Sequence, residues 1–177
     1  MCGIAGLYRR QGQTDPTRLV PCTQALHHRG PDEEGVWFDG PCAIAHTRLS
    51  IIDLAGGHQP LTAHNGDLVL VANGEIYNFI ELRRDLEARG HRFSSHSDSE
   101  TILHAYAEWG LDLFERLCGM YAFALYDRSC RRLLLARDRL GIKPLFLAET
   151  AEGLAFASEL KALLPLLPGK PRVNPSG

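Results

Sequence analysis

Short apolar strands dominate both ends of the chain, and two helices sit together near its middle. Ile4 to Tyr8 predicts a first strand that carries Cys2 into the fold. Asp15-Pro16 predicts a helix start, with Asp as N-cap and Pro at the first helical position. Leu19, Cys22 and Leu26 keep helical spacing behind it, and Pro21 implies that this helix begins late or kinks. His28 to Asp32 reads as a turn, and Cys42 to Ile52 as one strand running into a loop. The segment from Asp67 to Ala72 is too continuously apolar for a sheet with one wet face, and Asn73-Gly74 is expected to end it. Asn78 then caps a helix to about Arg89, with Gly90 just past its end and Leu82 and Leu86 facing inward.

Ser97-Asp98-Ser99-Glu100 has the spacing of a capping box, Ser97 at N-cap and Glu100 at N3. Ile102, Leu103, Tyr106 and Trp109 form the apolar face of the helix behind it, which Gly110 stops. A short helix from Leu111 to Leu117 follows. Met120 to Tyr126, Leu133 to Ala136, Leu145 to Ala148 and Leu154 to Ala157 then read as strands joined by turns, so neighbours are expected to be antiparallel. Ser158 is expected to cap a last helix, Glu159 to Leu164. Strands, two helices, then strands is not the alternation of a parallel doubly wound sheet. The fold class expected is α+β: two mostly antiparallel sheets, buried against each other and covered by helices. Residues 165–177, rich in Pro and Gly, read as the start of a linker after a domain spanning 2–164.

Composition narrows the function classes. With 19 Lys and Arg against 21 Asp and Glu there is no basic surface for a polyanion, so nucleic acid is not expected as a partner. No stretch approaches the ~18 apolar residues of a membrane span, and no secretory leader is visible. The five cysteines are odd in number and lack CxxC spacing, which predicts free thiols and a cytoplasmic setting. The eight histidines are scattered without HxxxH or HExxH pairs, so no metal site is expected.

The candidate chemistry begins at Cys2. Removal of Met1 would leave a first residue with a thiol and a free α-amine, whose ordinary pKa values of ~8.5 and ~7.7–8.0 allow proton exchange near neutrality. Arg48 lies inside an apolar run and suits a carboxylate. The Asn73 amide beside the Gly74 N–H supplies two donors that can converge on one oxygen, the make-up of an oxyanion hole. Asp98, at the first turn of a helix, can hold an ammonium. Each also has a plainer reading: Cys2 as a small core residue, Arg48 paired with Asp53 or Asp32, Asn73-Gly74 as a hairpin turn, Asp98 as a helix-start charge. Together they describe glutamine or asparagine as the ligand.

The blocks MCGIAG (1–6), HRGPD (28–32), AHTRLSIID (45–53), QPL (59–61), NGEIYN (73–78), SDSE (97–100), GMYAFALYD (119–127), RDRLGIKPL (137–145) and FASELKAL (156–163) span the chain. In this wording and order the chain resembles the glutaminase domain of glutamine-hydrolysing asparagine synthetases, class II amidotransferases with an N-terminal nucleophile. The resemblance implies an αββα sandwich of the Ntn-hydrolase type. It implies Cys2 as nucleophile, Asn73 and Gly74 as oxyanion hole, Arg48 as binder of the glutamine α-carboxylate, and Glu75 and Asp98 as binders of its α-amine. It implies L-glutamine as substrate and a synthetase domain, in cis or as a separate chain, as partner. No cofactor is implied for this domain; ATP and Mg belong to the synthetase domain, whose Ser-Gly-Gly-x-Asp-Ser loop does not occur in the sequence. The expectation is therefore a glutaminase half, excised or free-standing. Two other readings remain open: a non-catalytic docking or regulatory domain of a synthetase, and an amidase for other γ-glutamyl substrates.

Overall fold

A computed structural model describes residues 1–51, 53 and 56–169. Its strands are β1 (Gly3–Arg9), β2 (Glu33–Asp39), β3 (Cys42–Arg48), β4 (Leu61–Ala63), β5 (Leu68–Ile76), β6 (Gly119–Asp127), β7 (Arg132–Arg137), β8 (Phe146–Glu149) and β9 (Gly153–Ala157). Its helices are α1 (Val20–Leu26), α2 (Phe79–Ala88), α3 (Glu100–Trp109), α4 (Leu113–Arg116) and α5 (Leu160–Leu163). The strands form two antiparallel sheets, ordered β2-β3-β1-β9-β8 and β4-β5-β6-β7.

Side chains on a strand alternate between faces, so each strand must be apolar on both when both are covered. Ile4, Ile44, Val69, Val71, Ala122, Ala124 and Phe156 meet between the sheets. On the outer face of the first sheet, Ala5, Leu7, Ala43, Ala45 and Ala155 pack against Leu19, Cys22, Leu26, Ala162 and Leu163. On the outer face of the second, Leu68, Leu70, Ala72, Phe123 and Leu125 pack against Leu82, Leu86, Ile102 and Leu103. The result is the expected αββα layering, and it explains why the Leu68–Ala72 run is apolar at every position.

Pro21 acts as expected. Asp15 Oδ1 accepts the Thr17 N–H at 2.9 Å and starts a single 3₁₀ turn, Pro16–Leu19. The α-helix proper begins at Val20.

Several local expectations fail, each because a tertiary partner wins. β2 was not foreseen: it is an edge strand whose outward positions include Val36 and Phe38, so its hydrophobicity does not alternate with its burial. Asn73-Gly74 does not end β5. The strand continues to Ile76, with Gly74 opposite Tyr121, and a Cβ on Gly74 would stand 2.2 Å from the Met120 carbonyl oxygen. The glycine serves close approach of β6 rather than a turn.

The capping box does not form. Glu100 instead accepts the N–H and hydroxyl of both Ser94 and Ser95 at 2.6–2.8 Å, and Ser99 occupies the N-cap without a side-chain bond. Asn78 stands at the N-cap of α2, but its amide bridges to Arg116 O at 2.9 Å and accepts the Cys118 N–H at 3.0 Å. Ser158 does not cap α5; its hydroxyl accepts the Ile4 N–H at 2.9 Å, and Glu159 is the N-cap. Past the expected boundary at 164, Leu166 is buried with α1 and α5. The rest of the expected linker, 170–177, lies outside the described residues.

Candidate active site

Strand periodicity assembles the site. Cys2 shares parity with Ile4, Asn73 with Val69 and Val71, and Arg48 with Cys42 and Ile44, all inner-face positions. Where the two inner faces reach the end of the apolar core, these polar residues replace apolar ones. Cys2, Arg48, Asn73, Gly74, Glu75 and Asp98 all line one cavity there. Met1, Leu49, Ile51, Gly57, Gln59, Ala72, Ser97, Ser99, Met120 and Lys143 complete its walls.

The start of β1 is held by three hydrogen bonds, two with Ser158 and one with Arg29. Ser158 takes the Ile4 N–H, the Ile4 carbonyl accepts the Ser158 N–H at 2.8 Å, and Arg29 Nε donates to the Cys2 carbonyl at 2.9 Å. Arg29 is itself buried and paired with Glu159 at 2.9 Å. The Cys2 thiol donates to Leu49 O at 3.7 Å. Burial pushes that thiol's pKa up, against the pull of the Leu49 contact, the chain-terminal ammonium, Arg48 and Arg29. The resting sulfur is therefore a thiol, and a base beside it is needed to make the nucleophile. Met1 is exposed at the cavity mouth, where Lys143 Nζ lies 3.4 Å from its sulfur.

Opposite the thiol, Asn73 is 1% exposed. Its Nδ2 has no hydrogen-bond partner among the described residues. A buried amide donor left unpaired costs on the order of 1–3 kcal/mol, and in a cavity wall it marks a place where an acceptor is meant to sit. Beside it, the backbone of β5 presents alternate N–H groups to one edge. The Ala72 N–H is taken by Gln59 Oε1 at 2.6 Å and the Ile76 N–H by Asp98 Oδ2 at 2.7 Å. Tyr121, the partner of Gly74, turns its own N–H and C=O towards Asp138. Gly74 and Tyr121 are thus a non-hydrogen-bonded pair, and the Gly74 N–H emerges on the same edge as those of Ala72 and Ile76, between them.

Charges of both signs face the cavity. Arg48 is buried, donating to Glu33 Oε1 at 2.9 Å and to the Asp53 carbonyl at 2.6 Å. Its Asp53 partner is thus the backbone, and Glu33 was not foreseen. Asp98 is 5% exposed, and burial raises its pKa, with nearby Glu75 adding to the rise and the Ile76 and Ser99 N–H groups opposing it. Two adjacent carboxylates, one desolvated, suit an ammonium.

Sequence reasoning assigned no role to several residues that shape this wall. His46 Nε2 meets Ala72 O at 3.1 Å across the sheets, and burial pushes its pKa down to about 4, so it is neutral. Gln59 brackets Ala72 from the other side, its Nε2 3.3 Å from Ala72 O. Arg29, His46, Gln59 and Lys143 all fall inside the sequence blocks quoted above, which was the signal available.

Comparison with known proteins gives the family and the fold. A family model described as "Glutamine amidotransferase domain" matches residues 1–177. Asparagine synthetase [glutamine-hydrolyzing] 3 of Bacillus subtilis is 40% identical over 181 residues, covering 100% of this chain and 30% of that protein. A putative asparagine synthetase [glutamine-hydrolyzing] of Mycobacterium bovis is 43% identical over 184 residues, covering 94% of this chain and 28% of that protein. The chain thus spans about 30% of the length of these curated relatives. Glutamine phosphoribosylpyrophosphate amidotransferase from B. subtilis, solved with ADP and GMP, superposes with a TM-score of 0.75 at 23% identity, over 91% of this chain and 42% of that one. That likeness carries the fold, an α+β sandwich of two antiparallel sheets covered by helices. Among the described residues no helix is long and apolar enough to cross a membrane.

Proposed function

The chain belongs to the glutamine amidotransferase domain family, and on that premise we propose that it hydrolyses L-glutamine to glutamate and ammonia through Cys2. The observation that carries the reading is the buried, unpartnered Asn73 Nδ2 in the same cavity as the Cys2 thiol. Loss of Met1 turns the Cys2 backbone nitrogen into a free amine, which takes the thiol proton. The thiolate attacks the side-chain amide carbon, and the oxygen gathers its charge facing Asn73 Nδ2 and the Gly74 N–H. As the C–N bond breaks, the protonated amine returns the proton to the leaving ammonia. Water, deprotonated by the same amine, then cleaves the γ-glutamyl thioester and regenerates the thiol.

Arg48 supplies positive charge for the α-carboxylate, while Glu75 and Asp98 receive the α-ammonium. The names of the relatives support an ammonia acceptor activated by an ATP-dependent synthetase domain of asparagine-synthetase type, with ATP and Mg used there. Five free thiols support a cytoplasmic setting.

The test is intact mass and glutamate release on one preparation. Met1 absent with glutamate formed, and turnover abolished in Cys2→Ala, is the expected result. Wild-type turnover in Cys2→Ala would sink the assignment of the nucleophile.

A further inference from the structure

Away from the Cys2 cavity, three imidazoles from distant segments converge. His64 lies on the turn between β4 and β5, His91 just beyond the end of α2, and His104 within α3. One ring nitrogen from each lies within 4.8 Å of the others. The Nδ1 atoms of His91 and His104 are 3.3 Å apart. Ring centroids are separated by 5.2, 5.7 and 5.8 Å, and the ring planes cross at 62–79°. Two imidazoles on a tetrahedral ion at ~2.0–2.1 Å place their ligating nitrogens about 3.3–3.4 Å apart and their centroids about 5 Å apart. The His91–His104 pair already has that spacing.

The far sides of the same rings are backed by carboxylates. His91 Nε2 donates to Glu108 Oε2 at 3.0 Å, and His104 Nε2 faces Glu100 Oε1 at 3.5 Å. Glu100 is in turn held by the N–H and hydroxyl groups of Ser94 and Ser95 at 2.6–2.8 Å. The Glu108 carboxylate behind His91 favours the proton on Nε2 and turns the Nδ1 lone pair towards His104, the usual support of metal-bound histidine, while the buried His104 Nε2 faces Glu100 without a hydrogen bond. The two Nδ1 atoms face each other across 3.3 Å, a spacing at which they either share a proton or hold a metal ion between them. His64 is exposed on a short turn and closes from the third side, leaving a fourth position open to the groove beside Asn65 and Arg92.

We propose that His64, His91 and His104 bind one divalent first-row transition ion, with Zn²⁺ as the reference ligand and water in the fourth position. All-imidazole donor sets suit ions of this class rather than Mg²⁺ or Ca²⁺. Glu100 and Glu108 stand behind the rings, Glu108 also paired with Arg89 at 3.2 Å. The ion cross-links the β4–β5 turn to α3, the helix that follows directly on Asp98. Sequence spacing does not reveal the site, because its ligands come from three separate elements.

The test is titration of Zn²⁺ alone into the chelator-treated chain carrying Cys2→Ala, Cys118→Ala and Cys130→Ala, which removes the accessible thiols as competing ligands. Competition with a chromophoric chelator reads the affinity, and Co²⁺ substitution reads the geometry from its visible spectrum. One equivalent bound, a four-coordinate Co²⁺ spectrum and a Tm rise of about 5–10 °C at 100-fold excess over Kd are expected. His64→Ala, at an exposed position, should keep the Tm of the metal-free chain and lose at least ~10-fold in affinity, and Glu108→Gln should lose ~10-fold or more. No saturable binding, or binding untouched by His64→Ala, overturns the proposal and leaves His91 and His104 sharing a proton.

Discussion

Arg29 Nε donates to the carbonyl oxygen of Cys2 at 2.9 Å, so a turn residue 27 positions away fixes the backbone that carries the thiol. The guanidinium is in turn anchored by Glu159 at the start of α5. Arg29→Met should leave the glutamine KM within a few-fold of wild type. It should lower kcat by ~10–10²-fold, because an ångström of misplacement at a reacting centre costs about that much. Steady-state kinetics separate the two parameters; a rise in KM alone would give Arg29 a substrate-binding role instead.

Asn73→Ala tests the orphaned donor in two ways at once. Loss of one oxyanion donor should lower kcat by ~10²–10³-fold. The fold should scarcely notice, since the amide nitrogen makes no bond that stabilises it; urea unfolding should stay within ~1 kcal/mol of wild type. Strong destabilisation would show that the amide has a structural role.

Asp98→Asn separates charge from scaffold. The amide oxygen can still accept the Ile76 N–H, while the partner for an ammonium is removed. A KM increase of ~10–100-fold with a small change in kcat is expected, the size of one charge-assisted hydrogen bond. Glutarate monoamide, which lacks the α-amine, should lose its disadvantage relative to glutamine in this variant.

His46 ties acid sensitivity to the junction between the sheets. Its pKa falls from 6.5 to about 4 on folding because burial excludes the charged ring. Folded chains therefore bind fewer protons than unfolded ones between those values. The His46 contribution is fully present above pH ~6.5 and is lost as pH falls to ~4, amounting to about 3 kcal/mol. The fall in unfolding free energy between pH 7 and pH 4.5 should be smaller by most of that amount in His46→Gln.

Cys2→Ser distinguishes nucleophile from packing. The hydroxyl fills nearly the same space beside Leu49 but ionises far less readily, so turnover should drop by at least ~10²-fold with Tm unchanged within a few degrees. Glutamate release and a thermal melt on the same sample decide it.

The residues by themselves determined the layers. Continuous apolar strands such as Leu68–Ala72 have no stable place except between two covered faces, and helical spacing of Leu82 and Leu86 or of Ile102, Leu103 and Tyr106 leaves each helix one side to bury. That Cys2, Arg48, Asn73, Gly74 and Asp98 belong together was legible from their residue types and from the family resemblance, and the fold brings them to one cavity. Tertiary structure decided what local signals left ambiguous. A Ser-x-x-Glu spacing and an Asn before a helix each propose a local hydrogen bond, but Glu100 found four donors in Ser94 and Ser95, and Asn78 found Arg116 and Cys118. Asn-Gly is a turn only if no strand pairs beyond it; here β6 does. The three-histidine cluster and the pairing of Arg29 with Cys2 exist only because folding joins segments that no sequence spacing relates. Local propensities are worth a kcal/mol or less, and a buried polar group that loses its partner costs more, so long-range partners prevail wherever the two compete.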